Sequence, residues 1–483
     1  MHYCKISHSH ITDSGFYSQS FTTSEAKRVF CDLRRLQRWL EVESALATAQ
    51  AELGLIPQSA GKRLADTARL DLLDLHAIKQ GIATTGHSLI PLLDEWQKTA
   101  GPQSAIYCHF GATTQDIQDT AQSLELRDLL IIVERDLLQI IQLLANLAEK
   151  HKSQVIIGRT HGQHALPTTL GLKFAVWLDE LLRHAQRLSE CRSRLLVSQL
   201  FGGVGTMAAL GKSPDLLLER FSAILGLSRP ATAWHTARDR GAEFVANLAL
   251  LTGTMAKIAN EICQLAKDET GELEEPFHMG KIGSTTMPHK RNPEMCEQVV
   301  VLARLVKACC GICLDGLINE HERDYRAVRL EWVGITDAGL YTCGALNLLI
   351  NILKGLIVHP NRIHRNLESS ACLISTEALM FLFGDKIGKP AAHHLLYEAA
   401  MEARSSGRIL SELITDHPLI RGKFSAESIQ DAVNPANHTG RAEEMTNHVI
   451  ANARSWFQGH SEIADTNPSP CPLGNHPNGC LLL

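Results

Sequence analysis

The chain has 483 residues, a formal charge of −5, 45% hydrophobic residues and 20% charged ones. That length predicts roughly two to four domains around a large core. Without a basic excess, nucleic acid is not the expected partner. Aromatics are scarce at 5%, and Leu and Ala abound, which favours helices over sheets. The 13 cysteines lack the regular spacing of a disulfide scaffold, and the first residues carry no charged-then-apolar leader. Free thiols and a reducing cytoplasm are therefore expected. No apolar run reaches the ~18–20 residues that would span a bilayer.

Residues 1–20, with His2, Cys4, His8 and His10 among polar neighbours, read as a loose arm rather than a metal site. Residues 24–53 form an amphipathic helix with Phe30, Leu33, Leu36, Leu40, Val42, Ala45 and Leu46 on related faces, closed by Gly54. A second helical stretch covers about 57–98, and the polar segment 99–104 is a joint. In the stretch 109–120, Gly111 breaks the chain, Thr113 or Thr114 caps, and a long helix runs to about residue 152. Taken alone, Thr-Thr-x-x-Asp is a helix cap and no more.

The segment Gly158-Arg159-Thr160-His161-Gly162-Gln163-His164 reads as a loop leading to a helix through about residue 200. Its two histidines have no evident third metal ligand nearby. Gly202-Gly203-Val204-Gly205 is a further loop with no strand before it, so it is not a dinucleotide fingerprint. Trp234-His235-Thr236-Ala237-Arg238-Asp239 introduces a helix to about residue 267. Cys309, Cys310 and Cys313 lie inside an apolar helical run and read as small core residues. Helical patterns cover about 294–318 and 330–355. Between them Arg323 is either a surface ion-pair residue or a clamp for a carboxylate.

Between two of these helices lies Gly283-Ser284-Thr285-Thr286-Met287-Pro288-His289-Lys290-Arg291-Asn292-Pro293. Its glycine and prolines forbid regular structure, so it is a loop that ends at a helix N-terminus. Hydroxyls, backbone N–H groups, a lysine and a helix dipole meet there, which suits an anion or a carboxylate gaining charge. Serine is a weak base unless its alkoxide is stabilised, and Lys290 with the loop amides offers that.

This loop resembles the signature of the fumarase/aspartase superfamily, Gly-Ser-Ser-x-Met-Pro-x-Lys-x-Asn-Pro, with Thr285 in place of the second serine. The stretches 109–120 and 158–169 are similar to the family's other two signatures, and the likeness covers about residues 24–455. It implies Ser284 as catalytic base, His161 as general acid, and Glu297 as the residue orienting that acid. It further implies Lys290 as a stabiliser of charge, and His109, Thr113, Thr114, Thr160, Gln163, Asn292 and Arg323 as substrate-binding residues.

The nearest branch is that of adenylosuccinate lyase and 3-carboxy-cis,cis-muconate cycloisomerase. The Trp-His-x-x-Arg-Asp and Glu331-Trp332 elements lean to the cycloisomerase side, while His161 fits a true elimination. The implied reaction is β-elimination from a substituted succinate by C–N or C–O cleavage. It proceeds through an aci-carboxylate and leaves fumarate, with no cofactor or metal. Alternatives are the cycloisomerase, a nitrosuccinate-type lyase, and a non-catalytic membrane-tethered relative.

The implied fold is all-α in three helical domains: an N-terminal domain (1–112), a central long-helix bundle (113–364) and a C-terminal domain (365–460). The bundles of four chains form a homotetramer, and each site for a di- or tricarboxylate draws on three subunits. Residues 461–483 are Pro-, Asn- and Gly-rich and expected to be disordered. They end in Cys480-Leu481-Leu482-Leu483, which fits the C-a-a-X prenylation pattern. Membrane association is expected only if Cys480 is prenylated, and a coincidental tail is the alternative.

Overall fold

A computed structural model describes residues 9–460 and Pro468. The Cys480 motif, the 461–479 tail apart from Pro468, and His2, Cys4 and His8 lie outside the described residues.

Helix α1 (Ser24–Phe30) begins where the Thr23 hydroxyl accepts the Ala26 N–H. It is followed by α2 (Asp32–Glu52), whose apolar face is buried as the periodicity predicts. The stretch predicted as one helical unit over 57–98 is three: α3 (Gln58–Thr67), α4 (Leu75–Thr85) and α5 (Ile90–Ala100). Local chemistry explains the breaks. Asp74 caps α4, Gly86 ends it in a left-handed conformation (φ 69°), and Pro91 sits in the first turn of α5. The short α6 (Pro102–Ala105) completes this region.

The centre is an up-and-down bundle. Its first member, α7 (Thr114–Lys150), has 37 residues. At its far end β1 (Val155–Thr160) and β2 (Gln163–Thr169) form an antiparallel hairpin, where the sequence suggests only a loop. From there α8 (Leu170–Leu195) returns toward the start of α7, and α9 (Pro214–Leu225) packs against α2. Then α10 (Asp239–Leu265) runs back to the hairpin end, where β3 (Leu273–Glu274) leads into the Ser284 loop. Next α11 (Glu294–Asp315) and α12 (Tyr325–Lys354) complete the bundle, and β4 (Ile357–Val358) pairs with β3. The C-terminal part comprises α13 (Pro360–Ile374), α14 (Thr376–Ile387), α15 (Lys389–Ser406), α16 (Leu410–Asp416) and α17 (Ala426–Val433). A second core of Leu379, Phe383, Leu395, Ile414 and Ile429 joins α14 to α17. The last helix, α18 (Ala442–Gly459), returns to α7 and α8 through Ile450 and Ala453.

By length and composition α12 alone among the described residues could cross a membrane, but 72% of that window is buried in the bundle. Its apolar character is that of a core helix. Cys309 and Cys313 are buried on α11, with Gly334 of α12 directly against Cys313, as expected of small core residues.

Arg238, at the head of α10, lies in a buried charge network. Its Nε donates to Glu331 Oε1 at 2.8 Å and its Nη1 to Asp119 Oδ2 at 2.8 Å, so one guanidinium serves two carboxylates from α12 and α7. Burial pushes the Glu331 carboxyl up, and Arg238 only partly offsets this. Replacing Arg238 with Met should leave both carboxylates buried without a cation. Denaturant unfolding is expected to show a loss of about 3–5 kcal/mol. Removing the exposed Arg441–Glu444 pair should change stability by less than about 1 kcal/mol.

Candidate active site

The predicted residues fall into three groups. The first is at the start of α7. Thr113 is the N-cap, and its N–H donates to Asp116 Oδ2 at 3.0 Å, so the sequence-read cap is present. Thr114 opens the helix. Asp116, fully buried, also accepts the N–H groups of Phe201 (3.0 Å) and Gly202 (2.9 Å) and lies 2.9 Å from His235 Nε2. One carboxylate thus fixes the Gly202 loop against the α7 N-terminus. Arg323 Nη1 donates to Thr113 Oγ1 at 3.1 Å, with Nη2 3.4 Å from the Gly202 carbonyl, so Arg323 joins this group rather than a surface ion pair. His109 stands four residues before Thr113, its Nδ1 2.6 Å from Glu43 Oε1.

The second group is the Ser284 loop. Ser284 Oγ accepts the N–H groups of Met287 (3.1 Å) and Thr286 (3.4 Å). Asn292, expected to touch substrate, donates its side-chain amide to the Gly283 carbonyl at 2.7 Å and so pins the loop's two arms together. Gly283 is required there, because a Cβ would lie 2.2 Å from the Lys290 carbonyl oxygen. Glu275 fastens the loop from below. It takes the Cys296 N–H (3.0 Å) at the α11 N-terminus and the Lys281 ammonium (2.8 Å), and no sequence pattern singled it out. The Lys290 ammonium has no partner among the described residues. It lines a cleft of about 1100 Å³ with Asn292, Glu297, Arg304 and Arg365.

The third group is the hairpin tip. Thr160 pairs with Gln163, leaving His161 and Gly162 as a two-residue turn with both φ positive (53° and 76°). That is the backbone of a type I′ turn, which favours glycine at the second position. The strain places His161 on an exposed point. His164, the other histidine, is held at 2.8 Å from Ser370. Arg159 Nη1 and Nη2 grip Glu272 at 2.9 and 2.6 Å, tying the hairpin to the strand that precedes the Ser284 loop.

The hairpin and Ser284 groups share one end of the bundle, but Thr113 and Arg323 occupy the other. The 22 residues of α11 separate them by about 33 Å at 1.5 Å per residue. Within one chain the three groups do not form a single pocket, and no hydrogen bond joins His161 to Glu297 among the described residues.

A family model described as Lyase matches residues 17–307, and one described as Adenylosuccinate lyase C-terminus matches residues 372–449. The chain is similar to N-acetyl-S-(2-succino)cysteine lyase of Dickeya dadantii, at 39% identity over 92% of this chain and 97% of that protein. The protein of the same name from Enterococcus italicus is 38% identical over 92% of this chain and 97% of its own length. Among solved structures, the 3-carboxy-cis,cis-muconate lactonizing enzyme of Pseudomonas putida superposes with a TM-score of 0.86. It is 34% identical, over 92% of this chain and 100% of that one.

Gly283→Ala should spread the loop without touching the bundle. The expected result is loss of at least about a hundredfold in kcat with an unchanged circular-dichroism melt.

Proposed function

The chain belongs to the fumarase/aspartase superfamily of lyases and cycloisomerases, and on that premise we propose that it eliminates a thiol from an S-substituted succinate, releasing fumarate. The observation that carries the catalytic part is the pair of backbone N–H groups on Ser284 Oγ, in the same loop as Lys290, whose ammonium has no partner among the described residues. Two amide dipoles and an ammonium are what a serine alkoxide needs to act as base. Ser284 takes the proton next to one carboxylate. The electron pair enters that carboxylate, forming a dianionic aci-carboxylate, and returns to expel the leaving group on the neighbouring carbon. Thr113, Thr114 and Arg323 hold the other carboxylate, and His161 supplies the proton to the leaving atom.

Sulfur as the leaving atom rests on the names of the two relatives at 38–39% identity. The sequence alone points to nitrogen or oxygen as the leaving atom. A thiol, with an ordinary pKa of about 8.5, departs as thiolate with far less help than an amine. His161 is therefore needed less for a thioether than for an N-linked substrate.

The separation of the three groups supports sites completed by neighbouring copies in a homotetramer. So do Gly253 and Gly311, which sit on exposed helix faces where a Cβ would meet nothing in the chain. Glycine weakens a helix by roughly 1 kcal/mol relative to alanine, and close approach of a helix from outside explains its presence. Leu250, Val301 and Leu314 are exposed on the same two helices.

The test is to offer N-acetyl-S-(2-succino)cysteine and follow fumarate by ultraviolet absorbance together with free thiol. Wild type should release the two in equal amounts. Ser284→Ala should lower kcat by about 10²–10⁴-fold, and His161→Gln should cost less with the thioether than with an N-substituted aspartate. Fumarate from the N-linked compound alone would reassign the leaving atom. Consumption of 3-carboxy-cis,cis-muconate without any fumarate would replace elimination by cycloisomerisation.

A further inference from the structure

Glu43 lies in the middle of α2, and its side chain is only 1% exposed. Its Oε1 is 2.6 Å from His109 Nδ1, while Oε2 has no partner among the described residues. A carboxylate buried this deeply without a countercharge carries a large desolvation penalty, and His109 is the group in contact that can supply one. We propose that Glu43 is a positioning residue that keeps His109 as an imidazolium, so that His109 and Arg323 together grip a substrate carboxylate at the start of α7. This rests on the lyase reading above.

Three observations converge on it. His109 has a left-handed backbone (φ 57°), uncommon for a residue with a side chain and a mark of positions held by their surroundings. Those surroundings are rigid. Gln50 of α2 donates to the Phe110 carbonyl at 2.7 Å, and Gly111 is so close to Ala209 that a Cβ would lie 2.7 Å from its carbonyl oxygen. With Nδ1 committed to Glu43, Nε2 is the ring atom left to donate, and the ring is partly exposed four residues from the Thr113–Arg323 contact.

The charged groups acting on His109 are Glu43 from α2 and Asp116 from α7. Asp94 of α5 bears on the neighbouring Cys108, and Arg323 reaches the same corner from the loop before α12. Burial by itself would lower the His109 pKa, but the Glu43 hydrogen bond and charge outweigh it and the net direction is upward from 6.5. Glu43→Gln removes the larger opposing influences and leaves burial against the weaker pull of Asp116 alone, so the ring should then lose its proton below the ordinary imidazole range.

The experiment compares pH profiles of kcat and KM for wild type and Glu43→Gln, with fumarate release as the assay. At about pH 7.5 the variant's KM should rise by about tenfold, with a much smaller change in kcat. At about pH 5.5, where its imidazole is recharged, KM should return toward the wild-type value. A merely structural role would give no recovery in acid. A KM profile identical to wild type, or a fall in kcat at every pH, would overturn the proposal. A second measurement needs only wild type: the NMR titration of the His109 ring, assigned by its absence in His109→Asn. A midpoint above 6.5 supports the proposal, and one below it overturns it. If wild type released no fumarate, the lyase reading would fail, and the ring titration would still decide whether Glu43 holds the imidazolium.

Discussion

The length of the bundle helices is the constraint on which everything else depends. Helices of 22 to 37 residues cannot be folded back on themselves, so each end of the bundle is a separate place. The alternation of α7, α8, α10, α11 and α12 puts Thr113, Gly202 and Arg323 at one end and Ser284, Lys290 and His161 at the other. The proposed chemistry, with an anchor for one carboxylate and a base beside the other, draws on opposite ends of different chains. The exposed glycines of α10 and α11 and the apolar side chains beside them fit such a packing.

Buried charge gives each end its rigidity. Asp116 holds the Gly202 loop to the α7 cap, and Arg238 bridges Asp119 and Glu331 just behind it. At the opposite end Glu272 grips Arg159, and Glu275 takes the first free N–H groups of α11. These carboxylates are buried. They set the positions of the candidate site groups around them, and removing one partner leaves an uncompensated charge rather than a lost surface contact. The Ser284 loop itself is held by backbone proximity at Gly283 and by the Asn292 amide, which fixes the serine hydroxyl under two N–H donors.

Much of this was legible in the chain. The cap at Thr113, the long helix after it, the bundle helices and the Ser284 loop follow from caps, glycines, prolines and a 3.6-residue period. The hairpin did not: Val155–Thr160 and Gln163–Thr169 are short, carry Gly158 and Pro167, and bury few residues, so turn-formers masked the strand pattern. A two-residue turn with glycine second was the available signal for His161. Glu43 was invisible because nothing in an amphipathic helix says which glutamate meets a histidine 66 residues away. In sequence the Trp-His-x-x-Arg-Asp and Glu331-Trp332 elements say only which branch of the family the chain leans toward. In space Arg238 and Glu331 form a buried brace, because charges far apart in the chain pair only once the helices pack.

Subunit complementation tests the central claim most directly. Ser284→Ala and Arg323→Ala, each inactive alone, are unfolded together and refolded as a mixture. If a site takes its base and its anchor from different chains, mixed assemblies contain sites with both residues intact, and roughly a quarter of wild-type fumarate release should return. No recovery, from a mixture that demonstrably contains both chains in one assembly, would contradict a site shared between the opposite ends of neighbouring bundles.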